Sequence, residues 1–100
     1  MTPNEMIIAI KFAKTITSKY ELKLLEFLID NNSNFTGSYR LLAEEITGNY
    51  KNASNIYKTV IELKNKKYIT VETKRGNDGY NTVLRLNPHW IDEVMNAKEN

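Results

Sequence analysis

The stretch from Asn52 to Lys67 has the clearest separation of apolar and polar positions in the chain. At 100° per residue, its apolar side chains share one narrow arc: Ala53, Ile56, Val60 and Leu63. Tyr57 and Ile61 flank this arc. The opposite arc carries polar side chains: Ser54, Asn55, Lys58, Glu62, Asn65 and Lys66. With Asn52 as a favourable N-cap, the pattern predicts an amphipathic helix that has a core-facing side and a polar, largely cationic side.

Two capping boxes mark helices near the start of the chain. Thr2-Pro3-Asn4-Glu5 combines a capping box with a proline at the first helical position, and the helix it opens is expected to run to Ile16 or Thr17. Ser18-Lys19-Tyr20-Glu21 is a second capping box. The helix that it begins is expected to end in the polar run 30–34.

A third helix is predicted over Tyr39–Ile46, with Ser38 as its cap. Leu41, Leu42 and Ile46 are expected to face inward on this helix. Phe35-Thr36, just before it, is a candidate for a very short strand. The run 47–51 then predicts a turn that leads to the helix starting after Asn52.

The chain after Lys67 predicts a β-hairpin followed by a short helix. Tyr68–Lys74 is β-branched and alternating, Arg75–Gly79 has the composition of a turn, and Tyr80–Leu86 is the returning strand. On the returning strand, alternation places four residues on one face: Tyr80, Thr82, Leu84 and Leu86. Asn87-Pro88 begins the last helix, 87–100, whose apolar side carries Trp90, Ile91, Val94 and Met95.

The first helix is apolar around too much of its circumference for a helix that packs on one core. Its apolar residues cover roughly 200°, about twice the stripe that one core-facing side needs: Met6, Ile7, Ile8, Ala9, Ile10, Phe12, Ala13 and Ile16. We therefore expect residues 1–18 to form a dimerisation helix whose interface residues are Met6, Ile8, Phe12 and Ile16.

The composition of the chain argues against several classes of function. One hundred residues suit one domain with a modest core, and the absence of cysteine excludes disulfides and thiolate chemistry. The single histidine, His89, gives little support to a metal site or a Ser/His triad. The longest apolar run, Met6–Ile10, is too short to span a bilayer and lacks the features of a signal peptide. We expect a cytoplasmic protein that is not an enzyme and that holds no cofactor or metal.

The charge is unevenly distributed along the chain. Residues 47–76 contain seven Lys and Arg residues against two Glu residues, a net charge of +5, whereas the whole chain carries +2. The other residues therefore sum to −3. A basic segment on an otherwise acidic body is typical of a nucleic-acid-binding protein.

The order of elements resembles that of the winged helix-turn-helix superfamily. The resemblance covers residues 20–86 and rests on S-Y-R-L-L-A-E-E-I, a turn, and S-N-I-Y-K-T-V-I-E-L-K-N-K-K-Y-I-T-V. Two features depart from the family pattern: the turn from Ile46 to Asn52 is about three residues longer than the family's tightest form, and Lys67 stands where a glycine is usual. The implied fold is α+β, a single domain of helices α1–α4, a two-stranded β-hairpin wing and a short C-terminal helix.

This resemblance implies a set of DNA contacts. Ser54, Asn55 and Lys58 would face base edges in the major groove, with Tyr57 at the margin. Lys51, Asn52 and the helix N-terminus would meet phosphates. Lys74 and Arg75 would form the tip of the wing, where an arginine can enter a narrow minor groove.

We therefore expect a homodimer that binds double-stranded DNA in a sequence-specific manner. Two roles suit such a chain: transcriptional repressor, or centromere-binding adaptor of a plasmid or phage partition system with a tubulin-like GTPase as partner. An accessory role in replication initiation is also open. The competing class is a winged-helix module that binds a protein partner and not DNA, against which the charge of residues 47–76 argues.

Overall fold

The computed structural model describes residues 2–11, 18–76, 79–87 and 89. Over these residues the chain is an α+β fold with four α-helices and one three-stranded antiparallel sheet. The helices are α1 (Pro3–Lys11), α2 (Lys19–Asp30), α3 (Tyr39–Thr47) and α4 (Ala53–Asn65), and a 3-10 turn, Tyr50–Asn52, precedes α4. The strands are β1 (Asn34–Gly37), β2 (Ile69–Gly76) and β3 (Gly79–Leu86).

Three of the predicted N-caps, those of Thr2, Ser18 and Ser38, form where the sequence places them. The backbone N–H of Glu21 donates to Ser18 Oγ at 3.2 Å, and that of Leu41 donates to Ser38 Oγ at 3.0 Å. Thr2 Oγ1 accepts from the N–H of Glu5 at 3.2 Å in the same way. Each hydroxyl thereby satisfies one of the N–H groups that have no partner within the helix.

The last strand lies in the middle of the sheet, which has the order β1-β3-β2. β1 pairs with β3 from Asn34↔Arg85 to Gly37↔Thr82, so the predicted strand at Phe35-Thr36 is confirmed and extended by one residue on each side. β2 pairs with β3 over a longer stretch, from Ile69↔Leu86 to Gly76↔Gly79. The two sheet edges are therefore β1 and β2.

The predicted core face of α4 is confirmed, since Ile56, Val60 and Leu63 are fully buried. They pack with buried side chains from α1, α2, α3 and the sheet: Ile10, Leu24, Leu25, Leu28, Ile29, Phe35, Leu42, Ala43, Tyr68, Ile69, Leu84 and Leu86. Val83 is also buried, on the other side of β3 from Leu84, which the alternation of the sequence did not predict.

Leu41 was expected to face inward, but its side chain is 46% exposed. Leu42 and Ala43 occupy the buried face of α3. Around the helix, Leu41 lies about 100° from Leu42 and farther from Ala43. The short apolar run in this nine-residue helix could be placed in more than one rotation. The structure selects the one that buries Leu42.

Lys67 closes α4 in a left-handed conformation, with φ of 67°. The N–H of Tyr68 donates to Leu63 O and that of Lys67 donates to Lys64 O, both at 3.0 Å, which is the pattern of a Schellman motif. This motif needs positive φ at the residue after the C-cap. Lys67 therefore adopts a left-handed conformation that glycine adopts at lower cost than any other residue.

The hairpin turn is shorter than predicted. Arg75 and Gly76 were expected in the turn, but both belong to β2, where Arg75 pairs with Tyr80. The ladder between the two strands continues to Gly76↔Gly79. Residues 77 and 78 lie outside the described residues.

Two predicted helical segments fall wholly or mainly outside the described residues. They are the second half of the first helix, 12–17, and the C-terminal helix from residue 90 onward. Among the described residues, none of the helices has the length and apolarity that crossing a membrane would need.

Candidate nucleic-acid interface

The side of α4 opposite its core face is exposed and polar. Ser54, Asn55 and Lys58 are all exposed, and they lie on the first two turns of the helix. Because residues three and four apart are neighbours on a helix, Lys58 stands next to both Ser54 and Asn55. Glu62 follows one turn later on the same side and is also exposed. An anionic ligand is therefore favoured near the N-terminal half of α4 and disfavoured beyond Lys58.

The N-terminus of α4 differs from the expectation. Asn52 occupies the N-cap position, but its side chain makes no capping bond, and its amide nitrogen donates to Thr47 Oγ1 at 3.1 Å. The 3-10 turn in front of α4 also provides acceptors for the nearest backbone N–H groups. Lys51 N–H donates to Asn49 Oδ1 at 2.9 Å, and Asn52 N–H donates to Asn49 O at 3.1 Å.

The carboxylate of Glu44 is a further acceptor for the backbone N–H groups in front of α4. The backbone N–H of Tyr50 donates to Glu44 Oε2 at 3.0 Å, and the N–H of Ala53 donates to Tyr50 O. The backbone donors of residues 50–53 are thus satisfied within the protein, one of them by an anionic group. At these four positions a phosphate would therefore have to be bound by side chains, of which that of Lys51 is exposed.

The long turn between α3 and α4 is held together by Thr47. Its Oγ1 lies 2.7 Å from Ala43 O and 3.1 Å from Asn49 O, and it accepts from Asn49 N–H at 3.2 Å as well as from Asn52. Gly48 ends α3 with φ of 76°. The extra residues therefore form a hydrogen-bonded structure that fixes α4 relative to α3.

Tyr57 is 49% exposed, but one side of its ring is in contact with α3. It packs edge-to-face on Tyr39 of α3, with ring centroids 5.1 Å apart and planes at 81°. The Tyr39 hydroxyl is hydrogen-bonded in turn to the side chain of Thr82 in β3. Burial raises the pKa of Tyr39, and the neighbouring Tyr57 acts in the same direction, against the lowering effect of Thr82. Tyr57 is thus an exposed aromatic ring with a fixed position beside Lys58.

A second ring contact joins α3 to the turn. The guanidinium of Arg40 lies 4.7 Å from the centre of the Tyr50 ring, and Tyr50 is 45% exposed. Neither residue was among the predicted DNA contacts. Arg40 and Tyr50 belong to different elements, so the periodicity of a helix or a strand could not predict that they are in contact. The contact becomes visible only when the path of the turn is known.

Lys74 and Arg75 are exposed on the part of the β2–β3 hairpin that extends beyond β1. The ladder between β1 and β3 stops at Gly37↔Thr82, whereas that between β2 and β3 continues for three further pairs after Thr73↔Thr82. Residues 74–76 and 79–81 therefore form a two-stranded segment, here called the distal ribbon. Both cations lie on this segment and are exposed.

One of the seven cations of residues 47–76 is neutralised by another part of the chain. Lys66 Nζ lies 2.9 Å and 3.2 Å from the two carboxylate oxygens of Glu21, a residue of α2 that is 1% exposed. Glu21 was expected to complete its capping box, but its carboxylate points to Lys66. The other cations of the segment are exposed: Lys51, Lys58, Lys64, Lys67, Lys74 and Arg75.

The predicted dimer interface is described only in part. Met6 is half-buried against the core, whereas Ile8 is 52% exposed on the other side of α1. Phe12 and Ile16 lie outside the described residues. The described part of α1 therefore has one apolar face on the core and a large apolar side chain facing solvent.

Comparison of the chain with models of known protein families, with curated proteins and with solved structures found no match.

Proposed function

We propose that this chain is a winged helix-turn-helix protein that binds duplex DNA as a homodimer. The observation that carries the proposal is the pairing of two features: an exposed face of α4 with Ser54, Asn55 and Lys58, and a distal ribbon with Lys74 and Arg75. The order of the helices and the hairpin is also the one that the sequence resemblance implies.

In the proposed complex, α4 enters the major groove with its first two turns. Asn55 is a suitable partner for the N6 and N7 edge of adenine, and Lys58 for guanine O6 or a phosphate. Glu62 sets the limit of the contact, because its carboxylate would be repelled by the backbone phosphates. The distal ribbon then lies over the adjacent backbone, where Lys74 and Arg75 meet phosphates or enter the minor groove. Transcriptional repression and plasmid or phage partition would both use this binding mode.

Substitutions in the two features should have different effects on binding. Arg75→Ala should weaken binding to all duplexes and reduce the slope of log K against log salt by about 0.9, since one phosphate contact is lost. Asn55→Ala should instead relax preference at one position of the site, at which an Asn–adenine pair contributes roughly 1–3 kcal/mol of discrimination. The measurement is a salt titration on a duplex selected from a random pool and on a scrambled duplex.

Lys23→Ala is the matched control, because it removes one exposed cation from α2, outside residues 47–76. It should leave the salt slope unchanged. A wild-type chain that binds no duplex at low salt would overturn the proposal and would favour a module that binds a protein partner.

The proposed dimer is tested separately, through α1. Ile8→Glu should convert the dimer into an 11.6 kDa monomer without unfolding it, because Ile8 is exposed on the isolated chain and a buried, unpaired carboxylate would be costly in the interface. Asn4→Glu, at an exposed polar position of the same helix, is the control. The measurement is sedimentation equilibrium at about 100 µM, a concentration at which even a micromolar dimer is nearly complete. A wild-type chain that sediments there as a monomer would contradict the proposed dimer.

A further inference from the structure

Arg40 and Tyr50 form a contact that the proposed DNA-binding residues do not include. Arg40 is exposed on α3, and its guanidinium faces the ring of Tyr50 at 4.7 Å. Among the described residues, no carboxylate lies within 4.0 Å of this guanidinium. Glu44 is one helical turn away, at the usual spacing for an ion pair, but its carboxylate accepts from the N–H of Tyr50.

The turn that distinguishes this chain from the family's tightest form fixes Tyr50 in this place. Its backbone N–H is bound by Glu44, and the next N–H, that of Lys51, is bound by Asn49. Thr47 ties both ends of the turn together through Asn49 and Asn52. Hydrogen bonds therefore hold the backbone that carries the Tyr50 ring, although nearly half of the surface of Tyr50 is exposed.

A cation–π contact does not provide the arginine with an oxygen acceptor. A guanidinium carries five N–H donors in its plane, and the ring carbons of Tyr50 supply none of them with such a partner. The same plane matches two oxygens of a phosphate in a bidentate manner. Because Tyr50 restricts the orientation of Arg40 in advance, less side-chain entropy is lost when a phosphate binds.

The position of the pair relative to α4 points to the same ligand. Tyr39, the neighbour of Arg40, packs on Tyr57, which precedes Lys58 on the exposed face of α4. Tyr50 is followed by the exposed Lys51. We infer that Arg40, whose guanidinium lies over the ring of Tyr50, binds a backbone phosphate of duplex DNA beside the groove that α4 enters. This inference rests on the proposed function.

The test uses the full chain and a duplex selected by it from a random pool. Arg40→Ala should weaken binding about tenfold or more and reduce the salt slope by about 0.9. Tyr50→Leu should weaken binding about threefold and leave the salt slope unchanged, because the charge of Arg40 remains and only its contact with the aromatic ring is lost. Lys23→Ala should change neither quantity. Thermal melting of each variant establishes that the fold is intact, as expected for exposed side chains.

Duplexes in which one phosphate is replaced by an uncharged linkage can identify the phosphate that Arg40 binds. Single methylphosphonate linkages are placed along the duplex, and wild type should lose affinity at the phosphate that Arg40 binds. At that linkage Arg40→Ala should show no further loss, while Arg75→Ala should still show it. Unchanged affinity and salt slope in Arg40→Ala would overturn the inference, as would equal sensitivity of wild type and Arg40→Ala at every linkage. Both results leave the proposed function standing, whereas failure of wild type to bind DNA removes both.

Discussion

Leu63→Ala is expected to lower the free energy of unfolding by about 2–5 kcal/mol. Leu63 is fully buried on the core face of α4, in the same cluster as Leu28 of α2 and Leu84 of β3. Truncation removes the burial of most of the side chain and leaves a cavity that the surrounding helices and sheet can close only in part. The measurement is chemical denaturation, with the midpoint and slope of the transition compared between the variant and wild type.

The matched control lies on the opposite face of the same helix. Lys58→Ala removes an exposed side chain, so it should change stability by no more than about 0.5 kcal/mol while weakening DNA binding. If the two variants unfold at the same denaturant concentration, the assignment of the two faces of α4 is wrong.

Lys66→Met is expected to destabilise the fold by about 3 kcal/mol, at the low end of the range for a broken buried ion pair. Glu21 is 1% exposed and depends on Lys66 for its counter-charge at 2.9 Å. The substitution keeps the length of the side chain but leaves the carboxylate buried without that partner. The low end applies because the Lys66 side chain is itself 31% exposed, so water reaches this side of the pair.

Two further variants separate loss of the pair from loss of a lysine. Lys64→Met removes an exposed cation from the last turn of α4 and should have little effect. The double variant Glu21→Met, Lys66→Met should recover much of the lost stability, because two apolar side chains can replace a buried ion pair at little cost. Equal unfolding curves for Lys66→Met and Lys64→Met would show that the pair contributes nothing.

Local chemistry predicted much of the fold. Ser18 and Ser38 begin helices where a hydroxyl can accept from the third following N–H, and this depends on neighbouring residues alone. The core face of α4 follows from the spacing of Ile56, Val60 and Leu63. Only one orientation of the helix about its axis turns all three side chains toward the core. These features required no knowledge of the rest of the chain.

The features that the sequence did not predict depend on contacts between separate elements of the fold. Glu21 meets a lysine 45 positions later, and no local pattern distinguishes this carboxylate from a capping one. Arg75 has turn-forming neighbours, but cross-strand pairing with Tyr80 keeps it in β2. At the candidate site, the exposure of Ser54, Asn55 and Lys58 followed from the pattern, whereas the Arg40–Tyr50 contact required the path of the turn.

The sheet order has a consequence for how the chain folds. β3 is the central strand, yet it is the last of the three strands in the sequence, so each residue of β1 pairs with a residue 45 to 51 positions later in the chain. During synthesis from the N-terminus, α2, α3 and α4 can form early, but the N–H and C=O groups of β1 have no sheet partner until β3 has been made. Completion of the sheet, and with it the burial of Phe35 against the rest of the core, is therefore the late, long-range step of folding, and a chain truncated before Gly79 could form neither ladder.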